Sequence, residues 1–238
     1  MDVKGFTEVL SNCVYALHDY STMGFLTGEP YKGTDAQKQL LAKQFARKSE
    51  FHGANKVPVW NGEFGPVYET NAEHINQQRY SLLGEQLKIY DKAQISWSIW
   101  LYKDIGLQGM VHTSPDSPWN RLIEPWLDKK TRLQLDSWGK YPSEEVEKVM
   151  APLIERIDKV SPTAKDQYPT NWTLQKHLDR AVLQTFLSDS LQMEFAELFK
   201  GKDKAALEEL AMSFHFDQCV QREGLNKIMS EHAKLMGS

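Results

Sequence analysis

Cysteine is almost absent from this chain: Cys13 and Cys219 are the only two in 238 residues. That count excludes a disulfide-stapled scaffold and a zinc site built on paired cysteines, and leaves one bridge or two free thiols equally open. No apolar run approaches the roughly 20 residues of a bilayer-crossing helix, so no membrane span is expected. Positive charge is also short, with Lys+Arg 28 against Asp+Glu 32 and a net charge of -4. Such a balance supplies no basic stripe for nucleic acid and no polybasic patch for an anionic membrane. Residues 1–4 carry no apolar core or cleavage site, so no signal peptide is expected there. His112, His177, His215 and His232 show no metal-ligand spacing, and neither a metal nor another cofactor is expected. Gly62-Glu63-Phe64-Gly65 lacks the lysine and the glycine spacing of a phosphate loop. The triplet Asn171-Trp172-Thr173 fits a glycosylation acceptor, a pattern too common to fix a compartment.

What is present is an ordinary globular composition, 41% hydrophobic and 25% charged, with 7 Trp, 9 Tyr and 10 Phe. Aromatic faces pack against the C–H surfaces of sugars, and equally well against a protein core.

The pattern divides near Trp138 to Tyr141. Before it, short β-like runs alternate with amphipathic helices, as in βα units; after it the chain reads as helix throughout, with no strand. Three apolar runs end in polar or aromatic groups. Val14-Tyr15-Ala16-Leu17 leads into His18-Asp19-Tyr20, Val57-Pro58-Val59-Trp60 into Asn61-Gly62-Glu63-Phe64-Gly65, and Ile95-Ser96-Trp97-Ser98-Ile99 into Trp100. A period of two places Val14, Ala16, His18 and Tyr20 on one face and Tyr15, Leu17 and Asp19 on the other. His18, Tyr20 and Trp100 are then expected to project inward at the mouth of a barrel, with Trp97 in the core. Strands that end in functional side chains are how α/β barrels present catalytic groups.

The helices have readable ends. Thr34-Asp35-Ala36-Gln37 fits a capping box, with Leu41 and Phe45 as a buried stripe. Ile75, Leu82, Leu83, Leu87 and Tyr90 share one face of a second helix. A third is expected over 118–136, interrupted at Pro125. In the tail, Ser143 precedes acids suited to a helix start, a loop spans 161–170, and a long helix covers 173–199. The last helix carries Leu225, Ile228, Met229, His232 and Leu235 on one side. Met150, Met193 and Met229 read as gap-filling core.

A lone glutamate at a strand end can be a nucleophile, a base, a metal ligand or a surface charge. His18 and Tyr20 favour the first, since one could orient the carboxylate and the other hold it ionised. Here the three endings together resemble the sixth, seventh and eighth strand ends of glycoside hydrolase family 5, over residues 10 to 138. The resemblance implies an α/β fold: the last three or so βα units of a (β/α)₈ TIM barrel, residues 1–140, followed by an all-helical extension, residues 141–238. It implies a retaining β-glycosidase with Glu63 as nucleophile and an oligosaccharide or polysaccharide as substrate. His18 and Tyr20 would line the scissile subsite, Trp100 would form an aromatic floor, and Lys103 and Asp104 would make looser polar contacts to the sugar.

The departures are equally specific. The family's acid/base glutamate, in Asn-Glu-Pro at the fourth strand, has no counterpart, nor do the third-strand arginine and the fourth-strand asparagine. Asp19, Glu29, Asp104 and Asp116 are alternative acids, but none occupies a matching position. Loss of general-acid help removes roughly 10² to 10⁴ in rate. The chain is therefore expected to be the C-terminal portion of a larger enzyme, inactive alone and requiring an N-terminal barrel half. The alternatives are a non-catalytic carbohydrate binder using Trp100, or an interaction module built from the helical tail.

Overall fold

A computed structural model describes residues 8–69, 72–136, 143–164 and 173–236. Residues 1–4, the transition at 138–141, the loop part 168–170, and Asn171 and Trp172 of the glycosylation triplet lie outside the described residues.

In chain order, β1 (Tyr15–His18) is followed by α1 (Asp35–Lys48), α2 (Glu50–Asn55), β2 (Val59–Glu63) and α3 (Glu73–Lys92). Three short strands come next, β3 (Ser96–Trp97), β4 (Lys103–Asp104) and β5 (Val111–Thr113). Helices α4 (Pro118–Arg132) and α5 (Glu144–Val160) precede a helical run of α6 (Leu174–Leu178), a π-helical stretch (Asp179–Leu187), α7 (Ser188–Ser190) and α8 (Gln192–Ala196). The chain closes with α9 (Lys204–Met212), β6 (Cys219–Gln221) and α10 (Glu223–Met236). The fold is α/β, with two small sheets and mostly helix. It forms two compact units, Met1–Ser114 with Phe216–Ser238, and Pro115–His215. These units divide the chain elsewhere than the compositional boundary at 140, because the last helix packs with the first unit.

The first unit is built on the parallel sheet β1-β2-β3. The helices α1 and α2 connect the first two strands, and α3 connects the second to the third. Across the sheet, Ala16 pairs with Trp60 and Trp60 with Ser96, while Leu17 pairs with Asn61 and Asn61 with Trp97. Paired residues in a parallel sheet share a face, so two rows result. The row Leu17–Asn61–Trp97 lies under the helices, with Asn61 fully buried. The row Ala16–Trp60–Ser96 is exposed.

The core forms where the helical stripes meet the first row. Phe45 of α1, Leu83, Leu87 and Tyr90 of α3, Phe64 after β2 and Leu225 of α10 make one buried cluster. Each such side chain contributes about 1.5–3 kcal/mol on leaving water. The Phe64 ring stands edge-on to Tyr90 at 4.9 Å and to Trp97 at 5.4 Å. Trp97 is partly buried against this cluster. The start of α1 is capped by Thr34 Oγ1, which accepts from the Gln37 N–H at 3.3 Å. The Gln37 side chain accepts instead from the Lys32 N–H, so the expected reciprocal box does not close.

A second sheet, β4-β5-β6, corrects the expectation that the chain is helical throughout after 141. In it β6 runs antiparallel to β5. Three residues flanked by helical patterns carry no readable period, so this strand has no local signature in the sequence. Arg222 then ties the sheet to α10: its guanidinium donates to the Gly109 and Gly106 carbonyls and lies 4.4 Å from the Tyr68 ring centroid. Helix α10 packs closely on α3 because Gly224 has no side chain; a Cβ there would meet the Tyr80 ring at 2.3 Å.

In the second unit, α4 starts at Ser117, whose Oγ accepts from the Asn120 N–H, and runs through Pro125 rather than breaking there. Trp119 packs on Phe199 and Phe214, and Trp126 on Phe195. Ser143 caps α5 through the Val146 N–H. Gln134 links the Ser143 N–H to the buried Asp179 carboxylate, whose pKa is raised by burial and then by Glu147. Met150 is buried, whereas Met193 is 75% exposed, a correction to its assignment as core. Both cysteines are free thiols, and no helix among the described residues is long and apolar enough to cross a membrane.

Burial holds the His52 and His112 imidazoles below the ordinary 6.5; for His112 it outweighs the bond to the Thr113 carbonyl. The unfolded chain then binds more protons below pH 6.5, so stability is present above that value and is lost as pH falls through the folded values. The urea midpoint is expected to drop between pH 7 and pH 5. His52→Gln and His112→Gln should each flatten that slope; an unchanged slope in the double variant would count against this account.

Candidate active site

The site begins with a register change. The strands β1 and β2 pair residue for residue as far as Leu17 and Asn61, and then His18 pairs with Glu63, leaving Gly62 as the extra residue. Strict alternation would put Glu63 on the face of Val59 and Asn61, under the helices. The bulge instead turns its carboxylate to the face of His18 and Trp60, which is how such irregularities re-aim a side chain.

The result is a small polar cluster. The Tyr20 hydroxyl donates to Glu63 Oε2 at 3.1 Å, and His18 Nδ1 lies 3.4 Å from the same oxygen. The His18 side chain is 53% exposed and that of Glu63 29%, so both are open to a ligand. The Tyr20 pKa is raised, first by burial and then by the charge and hydrogen bond of Glu63. Its phenol therefore remains a donor throughout the neutral range. The Asp19 N–H donates to the Glu63 carbonyl at 2.9 Å, which fixes the backbone from which the carboxylate projects.

The third strand end is joined to this one through its backbone. Ser98 donates from its N–H to the Asn61 carbonyl and from its hydroxyl to the Gly62 carbonyl, and the Trp100 N–H donates to the Phe64 carbonyl. Trp100 is 42% exposed. Trp60, not singled out by the sequence reading, is 46% exposed in the row with Ala16 and Ser96. Its position opposite Asn61 in the period of two was the available signal.

Lys103 and Asp104 lie on β4, in the second sheet. The Asp104 carboxylate accepts from the Gln108 N–H at 2.6 Å, and Gln108 donates to the Gly65 carbonyl at 3.2 Å. Asp104 therefore braces the loop beside Gly65. Asp19, one of the alternative acids, is buried and paired with Lys48 at 2.6 Å. No group of three or more His, Cys, Asp or Glu is placed to hold a metal among the described residues.

A partly buried carboxylate held by a phenol and an imidazole thus stands at the carboxyl end of a parallel sheet, and the chain resembles glycoside hydrolases. Residues 7–106 match the family model for cellulase, glycosyl hydrolase family 5. A β-xylosidase of Phanerodontia chrysosporium is 43% identical over 234 residues, covering 94% of this chain and 49% of that protein. The chain thus spans about half the length of that relative. Among solved structures, an endoglucanase is 18% identical with a TM-score of 0.34, over 39% of this chain and 33% of its own. Endoglucanase Cel5A from the hyperthermophilic Thermotoga maritima is 21% identical with a TM-score of 0.30, over 37% and 31%.

Gly65 is the steric hinge of the site. Its φ is +145°, and a Cβ there would lie 2.6 Å from the Trp100 carbonyl oxygen. Gly65→Ala is expected to destabilise the fold by about 2 kcal/mol or more, through backbone strain and clash. Urea denaturation measures this; a change within about 0.5 kcal/mol, the usual range for surface substitutions, would show that the contact relaxes freely.

Proposed function

We propose that this chain supplies the nucleophile-bearing side of a retaining β-glycosidase, with Glu63 as the nucleophile. The observation that carries the reading is the convergence of Tyr20 and His18 on one Glu63 oxygen, on a face open to solvent. In the reaction, a Glu63 oxygen attacks the anomeric carbon as the bond to the leaving oxygen breaks, and that oxygen takes a proton from a general acid. Water then attacks the same carbon, returns a proton to that acid and releases Glu63. Tyr20 and His18 orient the carboxylate, and Trp100 offers an apolar plate to a sugar ring. Lys103 and Asp104 belong to the outer polar wall.

In this reading the three parallel strands are the sixth to eighth of a (β/α)₈ barrel, residues 1–140 are barrel and 141–238 a mostly helical extension whose strand β6 and last helix return to the first unit. The general acid comes from outside residues 1–238, so the isolated chain is inactive towards natural glycosides. The exposed row Ala16–Trp60–Ser96, a face that a closed barrel would cover, supports this. Because the relative is described as a β-xylosidase, β-xylosides are the first substrates to try; β-glucosides follow from the cellulase family match.

A 2,4-dinitrophenyl 2-deoxy-2-fluoro-β-glycoside has a leaving group that needs no proton, so it tests the nucleophile without the acid. Incubated with the chain, alone and supplemented with an N-terminal barrel segment, it is expected to add one glycosyl mass to the peptide holding Glu63. A label on any other residue overturns the assignment.

The exposure of both Trp60 and Trp100 favours a second reading, carbohydrate binding without hydrolysis. Titration with xylo- or cello-oligosaccharides should then quench tryptophan fluorescence, and Trp60→Ala with Trp100→Ala should abolish the response. No response in the unaltered chain rules binding out.

A further inference from the structure

Asp19 lies between the two residues that touch Glu63, and all four of its polar atoms are engaged. Its Oδ1 accepts from Lys48 Nζ at 2.6 Å and its Oδ2 from the Tyr90 hydroxyl at 2.9 Å. Its N–H is shared between the Glu63 carbonyl at 2.9 Å and Asn61 Oδ1 at 3.2 Å, and its carbonyl accepts from Gln86 Nε2 at 2.9 Å. Lys48 Nζ also reaches the Tyr20 carbonyl at 3.2 Å. One residue is thus held from α1, α3 and β2 at once.

We infer that Asp19, clamped by Lys48 and Tyr90, is a positioning residue that holds His18 and Tyr20 against Glu63. The catalytic consequence rests on the glycosidase reading above; the clamp rests on geometry alone. Side chains alternate along an extended segment, so anchoring Asp19 under the helices directs His18 and Tyr20 to the opposite face. A buried ion pair is a poor source of net stability, since desolvation offsets most of the attraction. What it supplies is direction. Lys48 bonds both the Asp19 carboxylate and the following carbonyl, which fixes the peptide that carries Tyr20. A well-packed apolar residue in place of Asp19 would fill the space and leave that peptide free to turn.

Asp19→Asn would leave the partly buried Lys48 unpaired and Lys48→Met the buried Asp19 carboxylate, so Lys48→Met is read beside Lys48→Arg, which keeps the charge, and Tyr90→Phe, which keeps the ion pair and decides the clamp if Lys48→Met does not fold. Each is checked by circular dichroism, then examined by ¹⁵N-histidine NMR for the His18 ring shifts and by the fluoro-glycoside for the rate of Glu63 labelling. Lys48→Met is expected to move the His18 shifts and lower the maximal labelling rate about 10- to 100-fold at unchanged half-saturation. Tyr90→Phe should give a smaller loss, and Lys48→Arg should restore both readouts. Folded Lys48→Met with unmoved His18 shifts overturns the clamp whatever the labelling does. Moved shifts with an unchanged labelling rate overturn its role in reaction. If the unaltered chain is not labelled even with the N-terminal segment, the glycosidase reading fails, and the His18 shifts alone then decide the clamp.

Discussion

The mismatch of one residue between β1 and β2 is the constraint on which the site depends. With strict pairing, Glu63 would enter the helix-covered face beside Asn61, where its charge would meet Phe64 and Tyr90. The extra Gly62 rotates the strand end, so Glu63 emerges beside His18 instead. The cluster with Tyr20 follows from that single shift, and so does the carbonyl of Glu63 accepting from Asp19. A bulge at a sheet end costs one unpaired residue, and here the Ser98 hydroxyl satisfies the Gly62 carbonyl.

The two faces of the sheet are physically different environments. Under the helices, edge-on contacts among Phe64, Tyr90 and Trp97 and the stripe of α3 exclude water. The opposite face, with Ala16, Trp60 and Ser96, is wet. Asp19 is the residue that joins the two. Its carboxylate lies on the dry side, held by Lys48 and Tyr90, while its neighbours on either side reach the wet one. A rigid, desolvated anchor behind a solvent-accessible carboxylate allows the site to be open without being loose.

Much of this was legible from local pattern. The alternation in residues 14–20, the stripe of Leu82, Leu83, Leu87 and Tyr90 and the cap at Thr34 each depend on neighbours close in sequence, and each element formed where its period indicated. The resemblance at the three strand ends also stands, since residues 7–106 match the family model. The strand β6 was not legible, because three residues carry no period and its partner β5 lies more than a hundred residues earlier. Met193 has the residue type of a core position, yet only the packing around α8 decides its exposure. The period of two separates Trp60 from Asn61, but whether its face is covered depends on what packs on the row it shares with Ala16 and Ser96.

By itself, the sequence determined the strands β1 to β3, the main helices that connect and follow them, the order of the three strand ends and the likeness of residues 7–106 to the family model. These are short-range properties, encoded in periods of 3.6 and 2 and in a local motif. The tertiary structure alone decided that Glu63 faces His18, that Asp19 is anchored by Lys48 and Tyr90, and that Arg222 returns to brace the loop at Gly106 and Gly109. Each of these joins groups distant along the chain, through a register and a burial that no local pattern specifies. Their energies depend on desolvation, which exists only once the helices cover one side of the sheet.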